Sequence, residues 1–292
     1  MTDNQNPSPE VNSKVYTLYY AFFLIPLMIT ILGVMFFFMF KVLTYETNTP
    51  LDYLNDVQYG AATKRWQSAY ELSKMLSESS SLETLNNGFH QRMIGVYEHS
   101  IHDDPLVRMY LALAMGRTGN EKYGEALMVG LNDEDIGCKL AAIKSLGYLS
   151  YEPAIEKIAD FTKKDKSREE RLEAVIALGN MNDSSILLLL KNMLNDEEPN
   201  IRWDAAIALA KIGDRSGIDI IVKLLDREYF SNFTQVDEVE TVNAILVAIQ
   251  ISSKIPSEKF VENLMKLAVL DKNMKIRDLA IKTLDKTYNR KI

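Results

Sequence analysis

The sequence predicts an all-α protein in which stacked helix pairs form an α-solenoid behind a single transmembrane helix. Three observations predict this fold: an uncharged apolar stretch near the N-terminus, helical apolar periodicity from Leu51 onward, and a residue frame that recurs about every 31 residues. A repeat array grows by adding units, so the length of 292 residues does not imply two separate globular domains.

The first element is a candidate transmembrane helix over residues 15–40, which contain no charged side chain. About 20 apolar residues are enough to span the hydrocarbon core as a helix. Tyr16, Tyr19 and Tyr20 cluster at its start, where aromatic rings favour the water–lipid boundary. A cleaved signal peptide is the alternative, but the apolar run is long and no small-residue cleavage site follows it. We therefore expect an uncleaved anchor.

The segments around this helix complete the predicted organisation. Residues 1–14 are rich in Asn, Pro and Ser and predict a disordered tail, while residues 41–50 predict a short linker that keeps the array of residues 51–292 near the bilayer. Lys14 and Lys41 flank the helix, so the count of positive charges on its two sides is nearly tied. We expect a single-pass protein of the inner or plasma membrane with a cytoplasmic array, and a periplasmic array stays open.

The repeating frame is clearest in residues 200–214, where an apolar residue precedes Arg202 and small or apolar residues follow at +3, +6, +7 and +10. The same frame recurs at Arg65, Arg108, Lys139, Arg171 and Arg277, with a degenerate copy at Thr241. A second apolar helix and a polar turn precede these frames, and Asp or Asn in the turn can cap the helix that follows. Such a unit cannot bury its apolar face alone, so stacked neighbours supply the core.

These residues resemble the HEAT-repeat family, and specifically the short bacterial HEAT-like repeats also found in the phycobilin-lyase group. The stretch from Asp196 to Asp214 matches the motif Asp-x-x-Pro-x-Ile/Val-Arg-x-x-Ala-Ala-x-Ala-Leu-x-x-Ile-Gly-Asp, and the resemblance covers roughly residues 51–290. It implies that the second helix of each pair lines a concave face. It also implies that the Arg column forms a hydrogen-bonded ladder with turn acids of adjacent repeats. The fold hosts scaffolds, carriers and a few enzymes, so it does not decide function.

On such second helices, positions +1, +5 and +8 after each Arg should lie opposite the core, at about 100° of rotation per residue. They would be polar in an inert solenoid, yet +1 and +5 are mostly large and apolar and +8 is small. We predict an apolar groove for a partner helix or peptide; the alternative is that neighbouring helices cover these columns. The candidate partner-binding residues are Trp66, Tyr70, Met109, Leu113, Leu140, Leu172, Ile176, Trp203 and Ile207.

Two segments depart from the regular frame. In the last repeat the three columns become Asp278, Lys282 and Asp285, which predicts a solvated cap. The Thr241 frame arrives later than the usual interval predicts, so residues 226–240 form an insertion. Aromatic side chains make this insertion either a second contact loop or a packed lid. They are Tyr229, Phe230 and Phe233.

Several classes of function are disfavoured. The net charge of −7 argues against nucleic-acid binding, and the single cysteine, Cys138, excludes a disulfide framework and a Cys-based zinc site. His99 and His102 are three residues apart, but no third His or Cys has suitable spacing, so we expect no metal and no other cofactor. The iron-binding His-Glu dipeptides of the HEAT-like deoxyhypusine hydroxylases do not occur in this sequence.

The sequence therefore predicts a non-enzymatic, membrane-anchored scaffold or adaptor, with no catalytic residues. It would hold a protein partner, such as part of a membrane complex, on the concave face beside the bilayer. The alternative that stays open is a bilin-lyase-like enzyme or chromophore carrier, to which a membrane anchor is less suited.

Overall fold

The structure is a computed structural model. It describes residues 17–43, 48–77, 85–181 and 183–291. Every regular element in these ranges is helical, with no strand, which confirms the predicted all-α class. The chain divides into two compact units, Met1–Thr49 and Pro50–Ile292.

The first unit contains one long apolar helix. A π-helical turn at Tyr20–Leu24 leads into α1 (Ile25–Leu43). The segment Thr17–Lys41 has a mean hydropathy of 2.6 and is long and apolar enough to cross a membrane. None of its side chains is buried, and Phe22 is 73% exposed. The predicted tail of residues 1–14 lies outside the described residues, as does Tyr16.

The second unit consists, over its described residues, of seven helix pairs. The even-numbered helices come first in each pair: α2 (Pro50–Tyr59), α4 (Asn87–His99), α6 (Gly124–Gly130), α8 (Ile155–Asp160), α10 (Leu187–Met193), α12 (Ile218–Leu224) and α14 (Val261–Leu270). The odd-numbered helices follow: α3 (Ala62–Met75), α5 (Pro105–Arg117), α7 (Ile136–Leu149), α9 (Arg168–Met181), α11 (Pro199–Lys211), α13 (Glu238–Lys254) and α15 (Met274–Tyr288). Each odd-numbered helix packs on its pair-mate and on the odd-numbered helices before and after it, so the odd-numbered helices form one continuous layer.

Short 3-10 turns connect these helices. They are Ser100–His102, Glu121–Tyr123, Glu152–Ala154, Ser184–Ile186, Arg227–Asn232 and Glu258–Phe260. All seven predicted frame residues, from Arg65 to Arg277, lie in the odd-numbered helices. The predicted solenoid of stacked helix pairs is therefore what the chain forms.

Polar turns fix where the odd-numbered helices begin. The Leu106 N–H donates to Asp104 Oδ1 (2.9 Å) at the start of α5, and the Cys138 N–H donates to Asp135 Oδ1 (2.9 Å) at the start of α7. Helix α13 begins with a full capping box, in which Asp237 caps the N-terminal N–H groups. Each such cap contributes about 1 kcal/mol, because it satisfies an N–H that has no partner inside the helix.

The small +8 column lies between successive odd-numbered helices. Its buried members are Gly116, Gly147, Gly179 and Ala210. A Cβ added at Gly116 would lie 2.6 Å from the Cβ of Ser145, and one added at Gly147 would lie 2.6 Å from the Cα of Ala177. The expectation that +8 faces away from the protein is therefore wrong. The neighbouring helix covers this column, and at Gly116 and Gly147 glycine is required because the two helices approach so closely.

The predicted ladder is confirmed for the first four frames. Its rungs are Arg65–Asp103, Arg108–Asp133 (2.9 Å), Lys139–Glu170 (3.2 Å) and Arg171–Asp196 (3.2 Å). At the fifth frame Arg202 instead donates to the Asp196 and Glu197 carbonyls of its own turn. Within the described part of the chain, no ion pair links Arg202 to the next repeat.

The hydrophobic core changes at the same place. One buried cluster runs from Leu54 to Leu209, and a second begins at Trp203 and continues to Leu284. Helix α11 contributes to both clusters, with Leu209 on one side and Trp203 on the other. It is therefore the element at which the two parts of the array join.

Candidate functional site

The +1 and +5 columns lie along the layer of odd-numbered helices, where the groove was predicted. Seven of the nine candidate residues are partly buried: Trp66, Met109, Leu113, Leu140, Leu172, Ile176 and Ile207. Tyr70 is the most open, at 43% exposed, and its ring meets that of Tyr110 edge-on at 5.2 Å. Neighbouring helices thus cover these columns in part, and a strip of apolar surface remains exposed.

Trp203 differs from the other candidates because the insertion covers it. The rings of Tyr229, Phe230 and Phe233 lie 6.1, 5.5 and 5.1 Å from its ring. Its Nε1–H donates to the Tyr229 hydroxyl (3.3 Å), and only 7% of the residue is exposed. Of the two interpretations of the insertion, the packed lid is the observed one. The lid holds the indole in place, and a partner would have to reach it through the adjoining cavity.

That cavity, of about 540 Å³, lies between α11 and α13. Three of the candidate residues, Leu172, Trp203 and Ile207, form part of its wall, and Val247 and Ile251 of α13 face them. Its volume is within the range of about 300–1,000 Å³ typical of ligand pockets. The row of candidate residues therefore adjoins a cavity at α11.

The polar group that distinguishes this cavity is Asp204, a partly buried residue of α11. Desolvation raises its pKa from 3.8 to about 6; the positive charge of Lys211 opposes the rise and the negative charge of Glu173 adds to it. No hydrogen bond or ion pair joins the Asp204 carboxylate to another described residue. Lys211 instead donates to Asn180 Oδ1 (2.9 Å).

Glu173 of α9 is a carboxyl group whose charge acts on Asp204 from the neighbouring helix. Its Oε1 is buried and has no hydrogen-bond partner among the described residues. Burial raises its pKa, and the positive charge of Lys144 opposes that rise. Both Glu173 and Asp204 follow the frame Arg of their helix by two positions. An acidic side chain at +2 in two successive repeats was the signal that sequence reasoning missed.

The remaining sequence candidates have structural partners or lie outside the description. His99 Nδ1 is 2.6 Å from the Gly95 carbonyl, and the His102 side chain is not among the described ones. Across the described ranges no three His, Cys, Asp or Glu side chains are grouped to hold a metal ion. Cys138 is buried, its Sγ donates to the Pro105 carbonyl (3.1 Å), and burial raises the pKa of its thiol to about 12.

Stacked helix pairs with a continuous inner layer, an arginine ladder and a partly open apolar row define an α-solenoid protein. A family model described as HEAT repeats matches residues 155–232. The array therefore contains HEAT repeats, over residues 155–232. No curated protein sequence matches it.

Three solved structures are similar over most of the chain. The complex of CpcE and CpcF of phycocyanin lyase from Nostoc sp. PCC7120 matches with a TM-score of 0.50 and 20% identity, over 84% of this chain and 96% of that chain. An engineered protein matches at 16% identity and a TM-score of 0.45, over 72% of this chain and 98% of that one. Human deoxyhypusine hydroxylase matches at 14% identity and a TM-score of 0.36, over 82% and 85%. At 20% identity, the likeness to the first of these is one of fold alone.

Proposed function

We propose that this protein is a membrane-anchored scaffold or adaptor that holds a protein partner on the concave face of its HEAT array, next to the bilayer. The observation that carries the proposal is the row of partly exposed apolar side chains along five successive odd-numbered helices, from Trp66 in α3 to Ile207 in α11. Burying apolar surface yields about 25 cal/mol per Å², so a partner that covers this row gains affinity at every helix. An inert array would place polar residues there.

The row suits an amphipathic helix or an apolar peptide segment. Successive odd-numbered helices present side chains of similar size, and Tyr70 and Trp66 at one end are the residue types that dominate interface energetics. The last repeat does not continue the row. Asp278 and Lys282 are exposed there and pair with each other at 2.7 Å, as expected for a solvated cap.

The apolar helix Thr17–Lys41 supports the membrane anchor. Large side chains such as Phe22 and Phe36 are exposed on it, at 73% and 64%, and lipid would cover them. The chain between Leu43 and Pro50 is short, and an extended residue spans at most about 3.6 Å, so the array would stay close to the bilayer. The intact mass of the membrane-extracted protein tests the anchor, because cleavage of a signal peptide would remove this helix.

The groove is tested most cleanly at Tyr70, which is exposed enough to be changed without opening the core. A photo-crosslinking residue at position 70 in the full-length protein should join the partner in native membranes. Tyr70→Asp should weaken capture of that same partner at least tenfold, because a desolvated charge replaces an aromatic anchor.

Leu188→Asp is the matched control, since Leu188 is 73% exposed on the even-numbered helix α10. It should leave capture unchanged, and a crosslinker at position 188 should not join the partner. If Tyr70→Asp and Leu188→Asp capture the partner equally, the groove is not the binding surface.

A second candidate function is a bilin-lyase-like enzyme or a chromophore carrier. The cavity of about 540 Å³ beside Trp203 favours it, because a cavity of that size can enclose much of a small organic ligand. Addition of a linear tetrapyrrole to the purified protein should then give a saturable visible absorbance change and quench Trp203. A scaffold that uses only the apolar row gives neither signal.

A further inference from the structure

The cavity between α11 and α13 combines apolar walls with one unpaired acid. Trp203, Ile207 and Val247 supply flat or branched apolar surface, and Asp204 lies among them. An apolar wall of this kind accommodates a methylene stem, and the carboxylate offers a charge-assisted acceptor at its end. That combination matches a long cationic side chain better than a purely apolar one.

No hydrogen bond or ion pair joins Asp204 to another described side chain, although the charge of Lys211 acts on it from the same helix. The ammonium group of Lys211, on the same helix, is held by Asn180 of α9 at 2.9 Å. Lys254 of α13 lines the cavity but is exposed, and no ion pair joins it to Asp204. A carboxylate that is partly buried without a partner destabilises the fold, so its presence needs an explanation outside the folded chain.

The neighbouring acid strengthens this preference for a cation. Glu173 of α9 occupies the same position in the previous repeat, and its Oε1 is buried without a partner among the described residues. The negative charge of Glu173 acts on Asp204, and a cation bound at Asp204 would offset that repulsion. Of the two lysines that line the cavity, Lys254 is exposed, so solvent screens its attraction for an anion. Lys211 is held by Asn180, and burial lowers the pKa of its ammonium group, which disfavours its charged form.

We propose that this cavity binds an arginine or lysine side chain of the protein partner, with Asp204 as its counter-ion and Trp203 and Ile207 against its stem. The inference rests on the proposed function, and it adds a charged specificity pocket at the end of the apolar row. The partner segment would thus carry apolar side chains along α3 to α9 and a basic residue at α11.

Trp203 reports directly on this cavity. The chain has two tryptophans, so Trp66→Phe in the full-length protein leaves Trp203 as the single indole. The protein is reconstituted in zwitterionic lipid nanodiscs and titrated with n-butylguanidinium, with its neutral isostere n-butylurea, and with butyrate. We expect saturable change of Trp203 emission by butylguanidinium, with butylurea and butyrate binding at least tenfold more weakly. Asp204→Asn should weaken butylguanidinium binding at least tenfold, while Asp278→Asn, at an exposed site on α15, should not.

Equal affinities for butylguanidinium and butylurea, a preference for butyrate, no saturable binding, or an unchanged affinity in Asp204→Asn would each overturn the proposal. These results are separable from the test at Tyr70. If Tyr70→Asp loses partner capture but the cavity does not distinguish butylguanidinium from butylurea, the scaffold function is supported and the cation pocket is rejected. Charge-selective binding of the probe together with unchanged partner capture in Tyr70→Asp supports the cation pocket and rules out the apolar row as the binding surface.

Discussion

Replacing Asp204 by Asn should make the protein more stable near neutral pH. Desolvation raises the pKa of Asp204 from 3.8 to about 6, so above pH 6 the folded chain holds a carboxylate that its surroundings disfavour. One pKa unit corresponds to about 1.4 kcal/mol, which makes the full penalty about 3 kcal/mol. Because the residue is only partly buried, solvent screening reduces the expected gain to about 1–2 kcal/mol.

The direction of the pH dependence follows from the raised pKa. The penalty is absent below about pH 3.8, grows as pH rises towards 6, and is complete above it. The stability difference between Asp204→Asn and wild type should therefore be near zero at pH 4 and largest at pH 7 to 8. Taking the difference removes the opposite contribution of acids with lowered pKa values, such as Asp214.

Thermal unfolding of the full-length protein, followed by far-ultraviolet circular dichroism at four pH values, measures this difference. For a domain of 150 to 250 residues, 1 kcal/mol shifts Tm by about 2–4 °C. Asp278→Asn, at an exposed position, should show no such shift. A variant that is less stable than wild type at pH 7.5, or a difference that does not change with pH, would refute the account of Asp204 as an unpaired, desolvated acid.

Three further results are expected from the packing. Gly147→Ala should destabilise the array by about 1–3 kcal/mol in equilibrium unfolding, because the added Cβ would meet the backbone of α9. Gly95→Ala is the control: an added Cβ there has nothing within 4 Å, so the variant should be as stable as wild type or more stable. Cys138 should resist a maleimide until the protein is denatured, as mass spectrometry can show, since burial raises its thiol pKa to about 12. Arg171→Met should lower stability by about 3–5 kcal/mol, because it leaves a buried acid unpaired; an unchanged Tm would contradict the ladder.

Local periodicity was enough to predict the helix pairs and their order. Frames such as those at Arg108 and Arg202 repeat core positions at fixed spacing, and that spacing requires consecutive helices to share a core. The ladder was also predictable, because the resemblance supplied both the basic column and the acidic turns. The burial of the +8 column was not predictable, since the face of a helix that contacts its neighbour depends on the packing angle between the two helices and not on one helix's own sequence.

The candidate site was only partly predictable for the same reason. The columns through Tyr70 and Ile207 follow from rotation along one helix. The burial of Trp203 depends on the path of the insertion, which brings Tyr229 back over α11. The relation of Asp204 to Glu173 depends on two helices being side by side, and neither helix alone indicates it.

The end of the ladder at Arg202 has a mechanical consequence. Up to α11, charged rungs and a single core couple each repeat to the next, so that part of the array resists bending. Between α11 and α13, in the described part of the chain, no such rung is present and the core changes over, so we expect this joint to bend more easily than those before it. A load applied between a fixed N-terminus and the last repeat should therefore flex the molecule at the joint beside Asp204. A partner side chain bound in the cavity beside Asp204 would stiffen this joint.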